Sequence, residues 1–269
     1  MPTPLRTDRF ALVTGASSGI GAEIAREYAR RGKPLVLVAR RADRLEALAA
    51  ELRPQVRVEV IAADLADPAA PARLVAECEA RGLRVDTLVN NAGFGVPGRY
   101  LAKDWATHQA SLQVLLVAVC ELSHRFLPAM EAEGHGRILN VASLAGLVPP
   151  TGGHTLYGPT KAFVIRFSET LAKEVGPKGV NVTALCPGMT YTEFHDVNGM
   201  RATVSKLPKG IWLDAATVAK LGVDAVESGR TRLITGRANR LIAALSKYLP
   251  DRLAGAMIAA KAKDFRDEG

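Results

Sequence analysis

The sequence predicts an α/β fold of the doubly wound, mostly parallel kind, built as a single domain with a C-terminal helical extension. Three observations lead there. Short apolar runs rich in β-branched residues alternate with helical patterns, those runs lack polar–apolar alternation, and a glycine-rich turn joins the first run to the first helix. Strands separated by helices imply parallel crossovers, and unalternating apolar strands imply a sheet covered on both faces.

Phe10–Gly15 reads as the first strand, closed by its glycine, with a helix over Gly19–Arg31. Leu35–Ala39 is a second buried strand, followed by a helix over Arg44–Leu52. Val56–Ala63 and the helix Pro68–Arg81 repeat the unit, as do Val85–Asn90 and the long helix Asp104–Met130. Arg137–Ala142 precedes a helix over Leu156–Val175, and Val180–Cys186 is the sixth strand. A helix near Asp214–Ser228 leads to a short strand, Arg232–Thr235. Beyond it Ala238, Leu241, Ile242, Leu245, Tyr248 and Leu249 share one helical face until Pro250 interrupts, and Leu253 and Met257 restart the pattern.

A chain of 269 residues, 48% hydrophobic, has the material for one large core. No internal period or long Gly/Ser- or Pro-rich linker divides it. The opening MPTPLRTDRF has no apolar run, so no secretory leader is expected, and Val114–Cys120 is too short to cross a bilayer. Cys78, Cys120 and Cys186 are few, odd in number and widely spaced, which fits a reducing cytoplasm. The five histidines have no ligand spacing with these cysteines, so no metal site is expected. A net charge of +8 reads as a solvated surface, and no nucleic-acid motif accompanies it.

Gly15, Gly19 and Gly21 lie between a strand and a helix start. Glycine lets backbone approach a pyrophosphate, and the helix N-terminus offers free N–H groups and partial positive charge. The second strand ends Val38-Ala39-Arg40-Arg41, with alanine where a site selective for NAD(H) carries an acid. Guanidinium groups suit a 2′-phosphate, so NADP(H) is preferred over NAD(H). Asp64, after the third strand, is placed to accept from an adenine amino group or to cap the next segment.

Tyr157 and Lys161 are four residues apart on a predicted helix, roughly 6 Å between Cβ atoms. A phenol ionises near pH 10 (about 10 in model peptides), and a neighbouring ammonium favours the phenolate. Ser143 is placed to hold a carbonyl oxygen beside that phenol. Oriented hydride transfer coupled to proton donation follows.

TGASSGIG (Thr14–Gly21), Asp64-Leu65, NNAG (Asn90–Gly93), Ser143, YGPTK (Tyr157–Lys161) and CPGMTYT (Cys186–Thr192) together resemble the short-chain dehydrogenase/reductase family. The likeness runs from about Phe10 to Gly236. It implies a Rossmann-type sheet and catalysis by Ser143, Tyr157 and Lys161, with Tyr157 as general acid or base. Lys161 would lower the Tyr157 pKa and hold the nicotinamide ribose. It places the cofactor against Gly15, Ser17, Ser18, Gly19, Ile20 and Gly21, against Arg40, Asp64 and Leu65, and against Asn91, Ala92 and Gly93. Tyr157, Lys161, Pro187, Gly188, Thr190 and Thr192 complete that set. The expected reaction interconverts a carbonyl and an alcohol on a small molecule. The alternatives are a 3-oxoacyl-thioester or hydroxysteroid oxidoreductase of the same family, or a weakly catalytic dinucleotide sensor. Family habit adds a homodimer or homotetramer through the two long helices.

Two positions depart from the family pattern. Leu115 stands where relatives carry a catalytic asparagine, so the backbone carbonyl of a proton relay is kept and a brace for a local kink is lost. Pro159 stands where a small residue is usual, which sets the start of its helix near Thr155 or Leu156. Residues Phe194–Trp212 would form a substrate lid, with Met200, Leu207, Ile211 and Trp212 as an apolar wall. Residues 1–236 then form the dinucleotide-binding and catalytic domain, and 237–269 a basic amphipathic extension. That extension packs on the same domain or a partner, or touches an anionic membrane surface.

Overall fold

The computed structural model describes residues 5–150, 152–192 and 211–248. Its centre is a seven-stranded parallel sheet in the order β3-β2-β1-β4-β5-β6-β9. The strands are β1 (Phe10–Thr14), β2 (Leu35–Ala39), β3 (Val58–Ala62), β4 (Val85–Asn90), β5 (Gly136–Val141), β6 (Val180–Cys186) and β9 (Arg232–Ile234). The strand order reverses between β1 and β4, which is where such sheets bind ligands, beyond the carboxyl ends of the strands.

Helices α1 (Gly19–Arg30), α2 (Ala42–Leu52) and α7 (Ala215–Glu227) cover one face. Helices α3 (Ala70–Ala80), α5 (Ala118–Ala132) and the end of α6 (Tyr157–Val175) cover the other. Within β1, Ala11 and Val13 pack toward the first set while Phe10 and Leu12 pack toward the second. In β2, Leu35 and Leu37 oppose Val36 and Val38 in the same way. Successive strand side chains point to opposite faces, so a sheet packed on both sides needs an unbroken apolar run. That is the pattern seen in the sequence.

The predicted boundaries hold to within one or two residues for most elements. The long helix is the informative difference. It divides into α4 (Trp105–Leu112), a π-helical turn at Gln113–Val117, and α5. The whole run Trp105–Ala132 is long and apolar enough to cross a membrane by length and composition. One face of it is core, with Val114, Leu115, Ala118, Leu122, Phe126 and Met130 all buried, while Trp105 and Val117 are exposed. A small parallel pair, β7 (Thr190–Tyr191) with β8 (Leu213–Asp214), was not visible in the sequence. Two-residue strands carry no periodicity to read.

Helix α8 (Arg237–Tyr248) buries Asn239 and Ala243. Leu241 and Tyr248, expected on its apolar face, are exposed. The Asn239 amide donates to the Thr235 carbonyl at 2.8 Å and lies against Gly188, and these contacts fix which face turns inward. Leu249, Pro250, Leu253 and Met257 lie outside the described residues, as do lid residues Phe194, Met200 and Leu207. Ile211 and Trp212 are described: Trp212 is buried and stacks on Tyr191 with ring centroids 4.6 Å apart.

Candidate active site

The glycine turn is tied down from β4. Thr14 Oγ1 donates to the Val89 carbonyl at 3.1 Å and accepts from the Asn91 and Ala92 amides at 3.0 and 3.1 Å. Asn91 Nδ2 donates to the carbonyls of Thr14 at 3.0 Å and Gly15 at 3.2 Å. Asn91 therefore shapes the turn, with its amide already engaged by backbone. Gly15 and Gly19 have φ of +66° and +58°, the left-handed region that glycine alone enters cheaply. A Cβ on Gly21 would come within 2.4 Å of both the Gly15 carbonyl oxygen and Asn91 Nδ2, and one on Gly19 would touch Thr192 at 3.2 Å. The turn is thus packed closely against Asn91, Ala92 and Thr192.

Helix α1 begins behind this turn. Ser18 is its N-cap, with no side-chain cap to the first-turn amides. Bare helix-start amides beside glycine backbone fit a pyrophosphate. Arg41 Nη2 donates to both Ser17 Oγ and Ser18 Oγ at 3.1 Å, which brings a cation to the same rim. Arg40, expected with Arg41 at the 2′-phosphate, is exposed. Nothing in the spacing told these two apart, since adjacent residues at a strand end leave in opposite directions. Asp64 Oδ1 accepts from the Ala66 amide at 3.0 Å, so the capping role predicted for it is present. Leu65 is buried behind it. Ile20 packs into the core below α1.

Ser143 stands at the end of β5, where its Oγ accepts from the Ala145 amide at 3.1 Å and starts a single 3₁₀ turn. The next amide, Leu144, donates to the Pro187 carbonyl at 2.8 Å, which joins the serine turn to the loop after β6. Thr190 Oγ1 donates to the Gly188 carbonyl at 3.1 Å in that loop. Helix α6 begins at Tyr157, with Leu156 as N-cap and Pro159 in its first turn, close to the predicted start. Proline is tolerated there because its missing N–H had no helical partner.

The three catalytic candidates converge. The Ser143 hydroxyl faces the Tyr157 phenol closely enough to hold its pKa down. Lys161 Nζ sits 5.7 Å from the centroid of the Tyr157 ring and donates to the Val141 carbonyl at 2.8 Å. Burial pushes the phenol above its ordinary value. Burial also pulls the Lys161 ammonium down to about 8. The direction at Tyr157 differs from the sequence expectation that Lys161 would lower it. Burial is the larger influence on the phenol, and Ser143 opposes it.

Behind the triad runs a polar chain in which Asn90, expected with the NNAG segment to steady the central sheet, is joined by Asn140, Ser123 and Ser168, which carried no such expectation. Asn90 Nδ2 donates to Asn140 Oδ1 at 2.8 Å and to Ser123 Oγ at 3.2 Å, and Asn140 Nδ2 donates to Ser168 Oγ at 2.9 Å. It pins β4, β5, α5 and α6 together beneath Tyr157. Asn140 and Ser168 sit in apolar surroundings, and a polar residue inside an apolar strand was the available signal.

Leu115 lies in the middle of the π turn, buried, with its side chain against Gly93, where an added Cβ would meet its Cδ2 at 2.7 Å. The kink of this helix is therefore present without the asparagine, braced by packing. We expect Leu115→Asn to raise turnover several-fold on the proton-limited side of the pH profile. The same change should cost on the order of 2–4 kcal/mol of stability, through the lost apolar contact. Steady-state turnover across pH with a parallel urea titration checks both, and turnover unchanged at every pH would contradict the side-chain role.

Burial pushes the Cys78 thiol to about 11 and the Cys186 thiol to about 12. Among the described residues no cluster of His, Cys, Asp and Glu is arranged to hold a metal.

Residues 9–201 match the family model for short chain dehydrogenase. The chain belongs to that family. It is 38% identical over 187 residues to sulfoacetaldehyde reductase 2 of Chromohalobacter salexigens, covering 69% of this chain and 74% of the relative. Among solved structures it resembles a short-chain dehydrogenase from Sphingobium yanoikuyae in complex with NADPH. That match has a TM-score of 0.78 at 33% identity, over 97% of this chain and 98% of the other. L-Sorbose reductase from Gluconobacter frateurii, complexed with NADPH and L-sorbose, matches with a TM-score of 0.74 at 29% identity, over 85% of this chain and 95% of the other. The short-chain dehydrogenases are oxidoreductases of alcohols and carbonyls, and this chain has their sheet, helices and loop order.

Proposed function

We propose that this short-chain dehydrogenase is an NADP(H)-dependent oxidoreductase that interconverts a small carbonyl compound and its alcohol, with Tyr157 as general acid and base. The observation that carries the reading is the meeting of Ser143 with Tyr157 over Lys161, beside a glycine turn at a helix start. The dinucleotide would rest on Gly15–Gly21 and the α1 amides, with Pro187, Gly188, Thr190 and Thr192 on its nicotinamide side, and would supply the hydride. Ser143 holds and polarises the carbonyl oxygen, and Tyr157, neutral because of its burial, is ready to give that oxygen a proton. The Lys161 ammonium, held by the carbonyl of Val141, would offset the negative charge left on the phenol once its proton is given up.

The preference for NADP(H) rests on Ala39, which puts no carboxylate at the end of β2, and on Arg41 at the serine rim. Arg40 and Arg41 would share a 2′-phosphate, with Arg41 the better oriented. We expect Arg41→Ala to weaken NADPH binding about 10-fold or more, a typical worth for a charge-assisted hydrogen bond, and to leave NADH binding nearly unchanged. Thermal shift with each dinucleotide tests this, because a ligand of the folded state raises its melting temperature. An equal loss for both dinucleotides would remove the 2′-phosphate from the argument. NADPH consumption over a panel of ketones and aldehydes tests the activity itself, and binding without turnover would favour the sensor reading that Leu115 suggests.

We further infer a homodimer or homotetramer through α5 and α6, where Phe163 on α6 and Val117 at the start of α5 are exposed. A cytoplasmic location and a domain division at residue 236 complete the reading. The extension then packs through α8 on Gly188, holding the nicotinamide side in place.

A further inference from the structure

Tyr157 also borders a small cavity. A cavity of about 10 Å³, room for the centre of a single water-sized group, lies among Tyr157, His108, Ser111, Tyr100, Val96 and Gly98. Apart from Tyr157, none of these residues belongs to the glycine turn, the α1 start or the loop after β6. The walls are preset. Asp104 caps α4 by accepting from the Thr107 amide at 2.9 Å, and His108 and Ser111, three residues apart, then share its inner face. Across from them the Gly98 amide donates to the Gly153 carbonyl at 2.9 Å, and a bridge pairs Gly98 with His154.

His108 is 5% exposed and stacks on Tyr100 with ring centroids 4.7 Å apart. Its Nε2 lies 2.8 Å from the Tyr100 carbonyl oxygen, which only accepts, so Nε2 carries the hydrogen. In the neutral ring Nδ1 is then a lone-pair acceptor. That Nδ1 is buried and has no partner among the described residues. A buried acceptor beside a one-atom cavity asks for a donor. No carboxylate lines the cavity, so a substrate ammonium group would have nothing to neutralise it. A neutral hydroxyl fits both its size and its polarity.

We propose that His108 is a specificity-determining residue, whose Nδ1 accepts a hydrogen bond from a hydroxyl on the carbon next to the reacting carbonyl. The preferred substrates are then hydroxy-carbonyl compounds and, in the reverse direction, the matching vicinal diols. Ser111, with a hydroxyl that both donates and accepts, is the second contact for the same group. This inference rests on the oxidoreductase reading above and adds the substrate class to it.

The test uses the full chain with NADPH and two ketones of nearly equal size, hydroxyacetone and 2-butanone. The readout is the ratio of their kcat/KM values in each variant, so the intrinsic reactivity of the ketones is common to all. His108→Gln keeps an amide donor for the Tyr100 carbonyl and removes the acceptor at Nδ1; His108→Asn places an amide oxygen near Nδ1. We expect the ratio to fall about tenfold or more in His108→Gln, as a site built for a hydroxyl loses its discrimination, and to be largely retained in His108→Asn. An unchanged ratio in His108→Gln, with the NADPH-induced thermal shift intact, would overturn the proposal while leaving the oxidoreductase reading standing. Absence of turnover with both ketones in the unmodified chain would overturn the two together.

Discussion

Tyr157→Phe is expected to lower kcat for carbonyl reduction by about 10³-fold, within the range that a positioned general acid supplies and equivalent to about 4 kcal/mol of barrier. Phenylalanine keeps the ring over Lys161 and removes only the hydroxyl that meets Ser143. The substrate KM should change little, because the lost interaction is made with charge that develops in the transition state. NADPH should still raise the melting temperature of the variant, since the glycine turn and the α1 amides are untouched. Turnover with the most active carbonyl of the panel, measured beside that thermal shift, checks both halves. A variant that binds NADPH and turns over at the parent rate would remove Tyr157 from catalysis.

The largest stability effect is expected far from the chemistry. Lys33 Nζ and Asp86 Oδ1 form a salt bridge of 2.6 Å, with the residues 1% and 2% exposed. The same ammonium donates to the Arg6 carbonyl at 2.8 Å, and Thr87 Oγ1 donates to Asp86. Removing one partner of such a pair leaves a buried charge unmatched, so Asp86→Ala should cost about 3–5 kcal/mol. Replacing both, in Lys33→Met with Asp86→Leu, should recover most of that loss. Burial already holds the Lys33 ammonium below its ordinary 10.5, with Asp86 opposing. In the window below 10.5 the unfolded chain therefore binds more protons than the folded one, and stability rises with pH. Without Asp86 that window opens lower, so the deficit of Asp86→Ala should shrink as pH is raised. Urea titrations at neutral and alkaline pH measure this, and a pH-independent deficit of under 1 kcal/mol would contradict it (roughly the worth of an exposed pair).

Much of this architecture was legible because its signals are local. Unbroken runs such as Leu35–Ala39 report a sheet covered on both faces, and Gly15, Gly19 and Gly21 report backbone that must pass closely under something. Tyr157 and Lys161 were readable as a pair because four residues is one helical turn. What escaped depends on contacts distant in sequence. Arg41 turns toward Ser17 and Ser18, 24 and 23 residues away. The Asn90–Asn140–Ser168 chain joins two strands and a helix. The π turn around Leu115 adds one residue to a helical turn without any proline or glycine to announce it. The inward face of α8 was misread because Asn239, not an apolar residue, fills the space beside Gly188. Near Tyr157 a sequence names the neighbouring charge and says nothing of how much water the site excludes, and it is burial that pushes the phenol up.

The central claim is that Ser143, Tyr157 and Lys161 form one proton-exchanging unit in which the ammonium governs the phenol. Its most direct test is the pH profile of kcat/KM for alcohol oxidation with NADP⁺, in the unmodified chain and in Lys161→Met. Oxidation needs Tyr157 as a base, so activity should rise with pH through the ionisation of the pair. Without the ammonium, the inflection should move up by about one unit or more, equivalent to at least about 1.4 kcal/mol of lost phenolate stabilisation. An inflection at the same pH in both proteins would contradict the account.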